Sequence, residues 1–90
     1  MERFDINEFF DACRKMDKHE RKLFIETLRR HGLDITDISC YTYPDAPGIR
    51  HVFFYFDGGS PPVPYFMLEK DLLAKVQEIL KKWQAGAFRE

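Results

Sequence analysis

Between Ile35 and Asp57 the hydrophobic pattern alternates residue by residue and is interrupted once, by Pro44-Asp45-Ala46-Pro47-Gly48. Side chains that repeat every second position lie on one face of an extended strand, whereas a helix repeats every three or four. The residues involved are largely β-branched and aromatic, which suits a pleated surface. The segment is therefore expected to form a β-hairpin with a five-residue loop. Pairing Tyr43 with Ile49 sets a register in which Ile38, Cys40, Val52, Phe54 and Phe56 share one face. Tyr41, Tyr43, His51, Phe53 and Tyr55 then share the other. The first set is the expected core face. The second is too aromatic for ordinary solvent surface, although each Tyr and the His carries a polar tip that can stay wet.

The flanking segments read as helices. Asp5 followed by Glu8 is a capping-box-like start, and Phe9, Phe10, Cys13 and Met16 then fall on one helical face. Asp17 with Glu20 repeats the signal, with Leu23, Phe24, Leu28 and His31 as a second stripe ending at Gly32, which suits a left-handed position beyond the last turn. The spacing predicts two helices with a kink near Asp17. One continuous helix is the alternative, since Asp and Lys do not break helices as Pro does. Gly58 to Pro62 reads as a loop, and Pro64 restricts the run from Val63 to Leu68 to a short edge strand. Leu72, Leu73, Val76, Ile79, Leu80 and Trp83 recur at helical spacing, with Lys81 and Lys82 in the last turn and Gly86 beyond it.

The expected fold is α+β: an N-terminal helical segment, a short antiparallel sheet of two or three strands and a C-terminal amphipathic helix. A length of 90 residues implies a single domain over 1–90 with one core. Hydrophobic content of 44% and aromatic content of 16% argue against a disordered chain, and folding is expected without metal or cofactor. Two cysteines, Cys13 and Cys40, with no cationic and apolar leader ahead of them, imply free thiols in a reducing cytoplasm, whether the protein is a cell's own or supplied by a phage or plasmid. No stretch approaches ~18 uninterrupted apolar residues, so no membrane span is expected.

Formal charge is −1 and the pI is near 6.3, which gives no overall positive field for nucleic acid. The distribution is uneven. Arg14, Lys15, Lys18, Arg21, Lys22, Arg29 and Arg30 gather in the N-terminal helical segment and are candidates for contact with an anion or an acidic partner, while the hairpin region is acidic.

His51 is the one candidate general acid or base, because imidazole titrates near neutrality and the register sets it opposite Tyr41. Cys40, on the core face, is expected to behave as a small hydrophobe whose thiolate is disfavoured by desolvation. Cysteine and histidine spacings fit no metal site. Gly58-Gly59-Ser60 lacks the lysine and helix start of a phosphate loop. The aromatic set Tyr41, Tyr43, His51, Phe53 and Tyr55 admits three occupants: the chain's own N-terminal helices, a protein partner or second copy, or unpaired bases.

From Glu20 to Gln84 the order helix, three strands, helix resembles double-stranded-RNA-binding domains and the small HicA-type toxin ribonucleases. Gly48-Ile49-Arg50-His51, and Val63-Pro64 ahead of the last helix, are similar to stretches of those toxins. The resemblance implies RNA binding or cleavage, with His51 as the transferable catalytic residue. The long N-terminal helical segment and the acidic sheet depart from it. The residues themselves favour a non-enzymatic protein-binding module, an inhibitor or accessory factor that meets a larger partner through Tyr41, Tyr43, His51, Phe53 and Tyr55.

Overall fold

A computed structural model of the chain describes residues 4–87. Two N-terminal helices, α1 (Ile6–Lys15) and α2 (Lys18–Arg30), precede strands β1 (Ile35–Tyr43), β2 (Ala46–Phe56) and β3 (Val63–Pro64). A 3₁₀ turn (Tyr65–Met67) then leads into α3 (Lys70–Gln84). The fold is α+β, with a three-stranded antiparallel sheet in the order β1-β2-β3. No helix among the described residues is long and apolar enough to cross a membrane.

The helix boundaries follow from local chemistry. The Asp5 carboxylate accepts from the N–H groups of Asn7 and Glu8 at 3.0 and 3.2 Å, and that of Asp17 accepts from Glu20 at 2.7 Å. Each cap satisfies donors that the first helical turn leaves without an intrahelical partner. Met16 and Asp17 both take extended backbone angles, so α1 and α2 are separate helices. At the end of α2, Gly32 has φ +85°, and Leu33 donates its N–H back to the Leu28 carbonyl at 3.2 Å. A left-handed residue at that position closes the last turn at little steric cost only when it is glycine.

The hairpin register matches expectation along its central stretch, with Ile38 opposite Phe54, Cys40 opposite Val52 and Tyr41 opposite His51. It departs at both ends. Near the tip Tyr43 pairs with Ala46 rather than Ile49, and the connection is the short turn at Pro44 and Asp45, not a five-residue loop. The residues between Ala46 and His51 therefore exceed those between Tyr43 and Tyr41, and the excess is absorbed as an irregularity in β2. Pro47, which has no N–H to give to the ladder, lies in that stretch. At the other end a second irregularity between Ile35 and Asp37 breaks strict alternation, so that Ile35 and Ile38 are both buried although three positions apart. The run from Val63 to Leu68 is strand only at Val63–Pro64. There Val63 pairs with Phe54 and Pro64 with Phe53, after which the chain turns into the 3₁₀ segment.

One core joins all the elements. Phe9, Phe10 and Cys13 from α1, Phe24 and Leu28 from α2, and Leu73, Val76 and Leu80 from α3 bury with Ile35, Ile38, Val52 and Phe54 from the sheet. The Phe9 and Phe54 rings meet at 5.8 Å, and Trp83 packs on Phe24 at 5.7 Å while its indole N–H donates to Glu20. All three helices thus bury against the same face of the sheet. Tyr41, Tyr43, His51, Phe53 and Tyr55 are neither members of this core nor packed against it.

Gln77 of α3 is only 1% exposed, and its Oε1 has no hydrogen-bond partner among the described residues. A buried acceptor left unmade costs about 1–3 kcal/mol. Gln77→Met keeps a similar shape without the carbonyl and is expected to raise the urea unfolding midpoint, by the equivalent of about 1 kcal/mol. A lowered midpoint would show that the amide N–H₂ contributes more than the orphan oxygen costs.

Candidate interaction face

The helix-free face of the sheet is a ladder of rings. The Tyr41 ring lies 5.0 Å from His51 at an interplanar angle of 17° and 5.9 Å from Phe53 at 8°. His51 and Phe53, two positions apart on β2, are 6.3 Å apart at 20°. Tyr43 closes the tip end, edge-on to Tyr41 at 5.6 Å and to His51 at 5.1 Å. At the opposite end the Ser39 hydroxyl lies 3.2 Å from the Tyr55 hydroxyl in a hydrogen bond. The sheet places these groups together because their positions alternate with core residues. The central register then brings Tyr41 and Ser39 of β1 opposite His51 and Phe53 of β2.

Two members of this surface, Ser39 and Pro64, are absent from the aromatic set read from the sequence. Ser39 follows from the same alternation once Tyr41 is placed. Pro64 joins only through its pairing with Phe53, for which the sequence carries no local signal.

The rings cover one another only in part. Tyr43 is 51% exposed, whereas Tyr41, His51, Phe53 and Tyr55 are half-buried by their neighbours on the strands. The centroids of Tyr41, His51 and Phe53 form a triangle with sides of 5.0, 5.9 and 6.3 Å, so these near-parallel rings are offset and leave much of one another uncovered. The Tyr41 phenol is held above its ordinary pKa, chiefly by its hydrogen bond with Tyr43 and further by desolvation and the charges that Tyr43 and Tyr55 would carry. It is a neutral donor at physiological pH. His51 makes no hydrogen bond or ion pair among the described residues; its neighbours on the face are Tyr41, Tyr43 and Phe53. Among the described residues no carboxylate or lysine pairs with it.

The basic residues lie elsewhere. Arg14, Lys15, Lys18, Arg21, Lys22, Arg29 and Arg30 all belong to α1 or α2, which cover the opposite side of the sheet. Three of them are engaged within the fold. The Arg14 guanidinium stands 5.9 Å from the Phe10 ring centre and donates to the Cys40 carbonyl, Arg21 meets Asp37 at 3.9 Å, and Arg29 bonds Asp57 at 3.1 Å and the Ile35 carbonyl at 3.2 Å. Lys15, Lys18, Lys22 and Arg30 are exposed. Lys18 and Lys22 line a groove of about 360 Å³ between α2 and the edge of β1, with Arg21, Glu26, Arg29 and Asp37. Its charged lining is mostly basic, with Glu26 and Asp37 as the acidic members. The lysines of α1 and α2 are thus set along the helices and the β1 edge, not among the rings of the ladder.

Among the described residues no three His, Cys, Asp or Glu side chains are grouped so as to hold a metal ion. No family model matches the chain, nor does any curated protein or solved structure.

Proposed function

We propose that this domain is a protein-binding module whose contact surface is the helix-free sheet face carrying Tyr41, Tyr43, His51, Phe53 and Tyr55, and that its occupant is a second copy of the chain. The observation that carries the reading is the ring ladder itself, which lies outside the core and has all three helices on the other side of the sheet. Tyrosine-rich patches poor in lysine match the composition of protein-interface centres. The five side chains include no acid and no permanent cation. Two copies related by a two-fold axis would bring this face onto itself, and its one carboxylate, Asp37 opposite Tyr55 at the end of the ladder, is met by Arg21 at 3.9 Å.

Base stacking is the weaker use of the same surface. It needs free ring faces beside a positive groove that tracks phosphates. Here the basic side chains of α1 and α2 lie behind the sheet or at the β1 edge, among Glu26 and Asp37, and not along the ladder. A ribonuclease would also need a second proton-transfer group near His51, and its ring neighbours are Tyr41, Tyr43 and Phe53.

Light scattering across a concentration series tests the proposal. A mass rising toward twice that of the chain supports it. A monomer at every concentration overturns self-association and leaves the face to a different protein. RNA cleavage that is lost in His51→Ala would overturn the binding-module reading in favour of catalysis.

A further inference from the structure

Cys13 of α1 and Cys40 of β1, far apart in the chain, line one cavity of about 190 Å³ together with Arg14, Arg21, Met16 and Ile38. Cys13 is 5% exposed, whereas Cys40 keeps partial access to solvent. Arg14 is fixed beside Cys40 by its bond to the Cys40 carbonyl at 3.5 Å, and Arg21 approaches from α2. The opposing charge is Asp37, which Arg21 meets at 3.9 Å. Reactive cysteines are found in partly exposed, electropositive surroundings of this kind, and a second thiol beside them allows the oxidised form to be resolved.

We propose that Cys40 and Cys13 form a hydroperoxide-reactive dithiol site, with Cys40 as the attacking sulfur and Cys13 as the resolving one. The Cys40 thiolate attacks one peroxide oxygen. The O–O bond breaks, the second oxygen leaves as hydroxide or alkoxide, and Cys40 becomes a sulfenic acid. Cys13 then gives up its proton and attacks the Cys40 sulfur, and the sulfenic hydroxyl departs with that proton as water. Two thiols are oxidised to one disulfide while the peroxide is reduced to an alcohol or water.

The protonation pattern agrees with these roles. The Cys13 S–H donates to the Cys40 sulfur, and with Arg21 and Arg14 this holds the Cys40 thiol below its ordinary pKa despite partial burial. The same bond and burial push Cys13 up. Desolvation still disfavours a Cys40 thiolate, and a thiol and two guanidiniums from the helices oppose it.

The test treats the whole chain with hydrogen peroxide and reads the intact mass after alkylation in denaturant. The parent should lose both alkylatable thiols as a monomeric species lighter by two hydrogens, and a dithiol reductant should restore them. Cys13→Ser, or Cys13→Ala should the first not fold, is expected to accumulate a sulfenic acid at Cys40 that a dimedone probe captures. In the reduced parent at neutral pH, Cys40 should alkylate at least about tenfold faster than Cys13. Replacing Arg14 and Arg21 by glutamine should move the pH midpoint of Cys40 alkylation upward. Thiols that survive peroxide, equal alkylation rates, or a disulfide formed only between chains would each overturn the proposal.

Discussion

Phe54→Ala is expected to lower the thermal midpoint by about 15–30 °C, leaving the domain close to unfolded at physiological temperature. Phe54 is fully buried on the central strand, opposite Ile38 on one side and Val63 on the other, with its ring against Phe9. Truncating a buried Phe costs about 3–5 kcal/mol, and a domain of this size has about 5–15 kcal/mol in total. Because β2 is hydrogen-bonded on both edges, it has little freedom to move into the resulting void. Circular dichroism on heating reads the effect directly. A drop of only a few degrees would mean that the helices collapse onto the cavity.

Tyr41→Ala and Phe53→Ala should do the reverse, leaving the melt within a few degrees of the parent while abolishing self-association. Each lies on the helix-free face, where a cross-strand pair contributes about 0.2–1 kcal/mol to the sheet. An aromatic anchor at the centre of an interface is worth about 2 kcal/mol or more, so each copy that loses one should weaken the dimer by about 30-fold. Sedimentation or light scattering against concentration measures the second quantity, and the melt measures the first. Should both substitutions unfold the domain, the ladder belongs to the core. Should both leave the parent's dimer intact, the contact lies elsewhere on the surface.

The difference between Phe53 and Phe54, adjacent in sequence and opposite in expected consequence, is legible in the sequence. Alternation alone assigns them to opposite faces, and the central register from Asp37 to Tyr41 follows from it. The break at Asp17 was also legible, because a cap with an acidic residue three positions on is a local signal. Both ends of the hairpin were not. Whether Tyr43 meets Ile49 or Ala46 depends on how the strand absorbs Pro47, a balance between turn geometry and ladder bonds that periodicity does not encode. That the ladder has no helix over it was equally hidden, since either face of the sheet could have received α1 and α2. What decides it is the fit of Phe9, Phe10, Phe24 and Leu28 against Ile35, Ile38, Val52 and Phe54. The surroundings of Cys40 were hidden for a related reason: a strand pattern locates a thiol on a face but says nothing of which charges a distant helix brings to it.

The sheet order β1-β2-β3 means that every strand pairs with its neighbour in the chain. Such a sheet can zip up from the turn at Pro44 and Asp45 with small closure entropy, while docking the helices on it requires contacts between distant parts of the sequence. The core face is therefore temporary surface, shielded once α1, α2 and α3 arrive. The ring ladder has no such arrival to wait for. It meets solvent from the first pairing of the hairpin to the folded monomer, and three phenols and an imidazole among its rings keep it wettable until the proposed partner copy covers it.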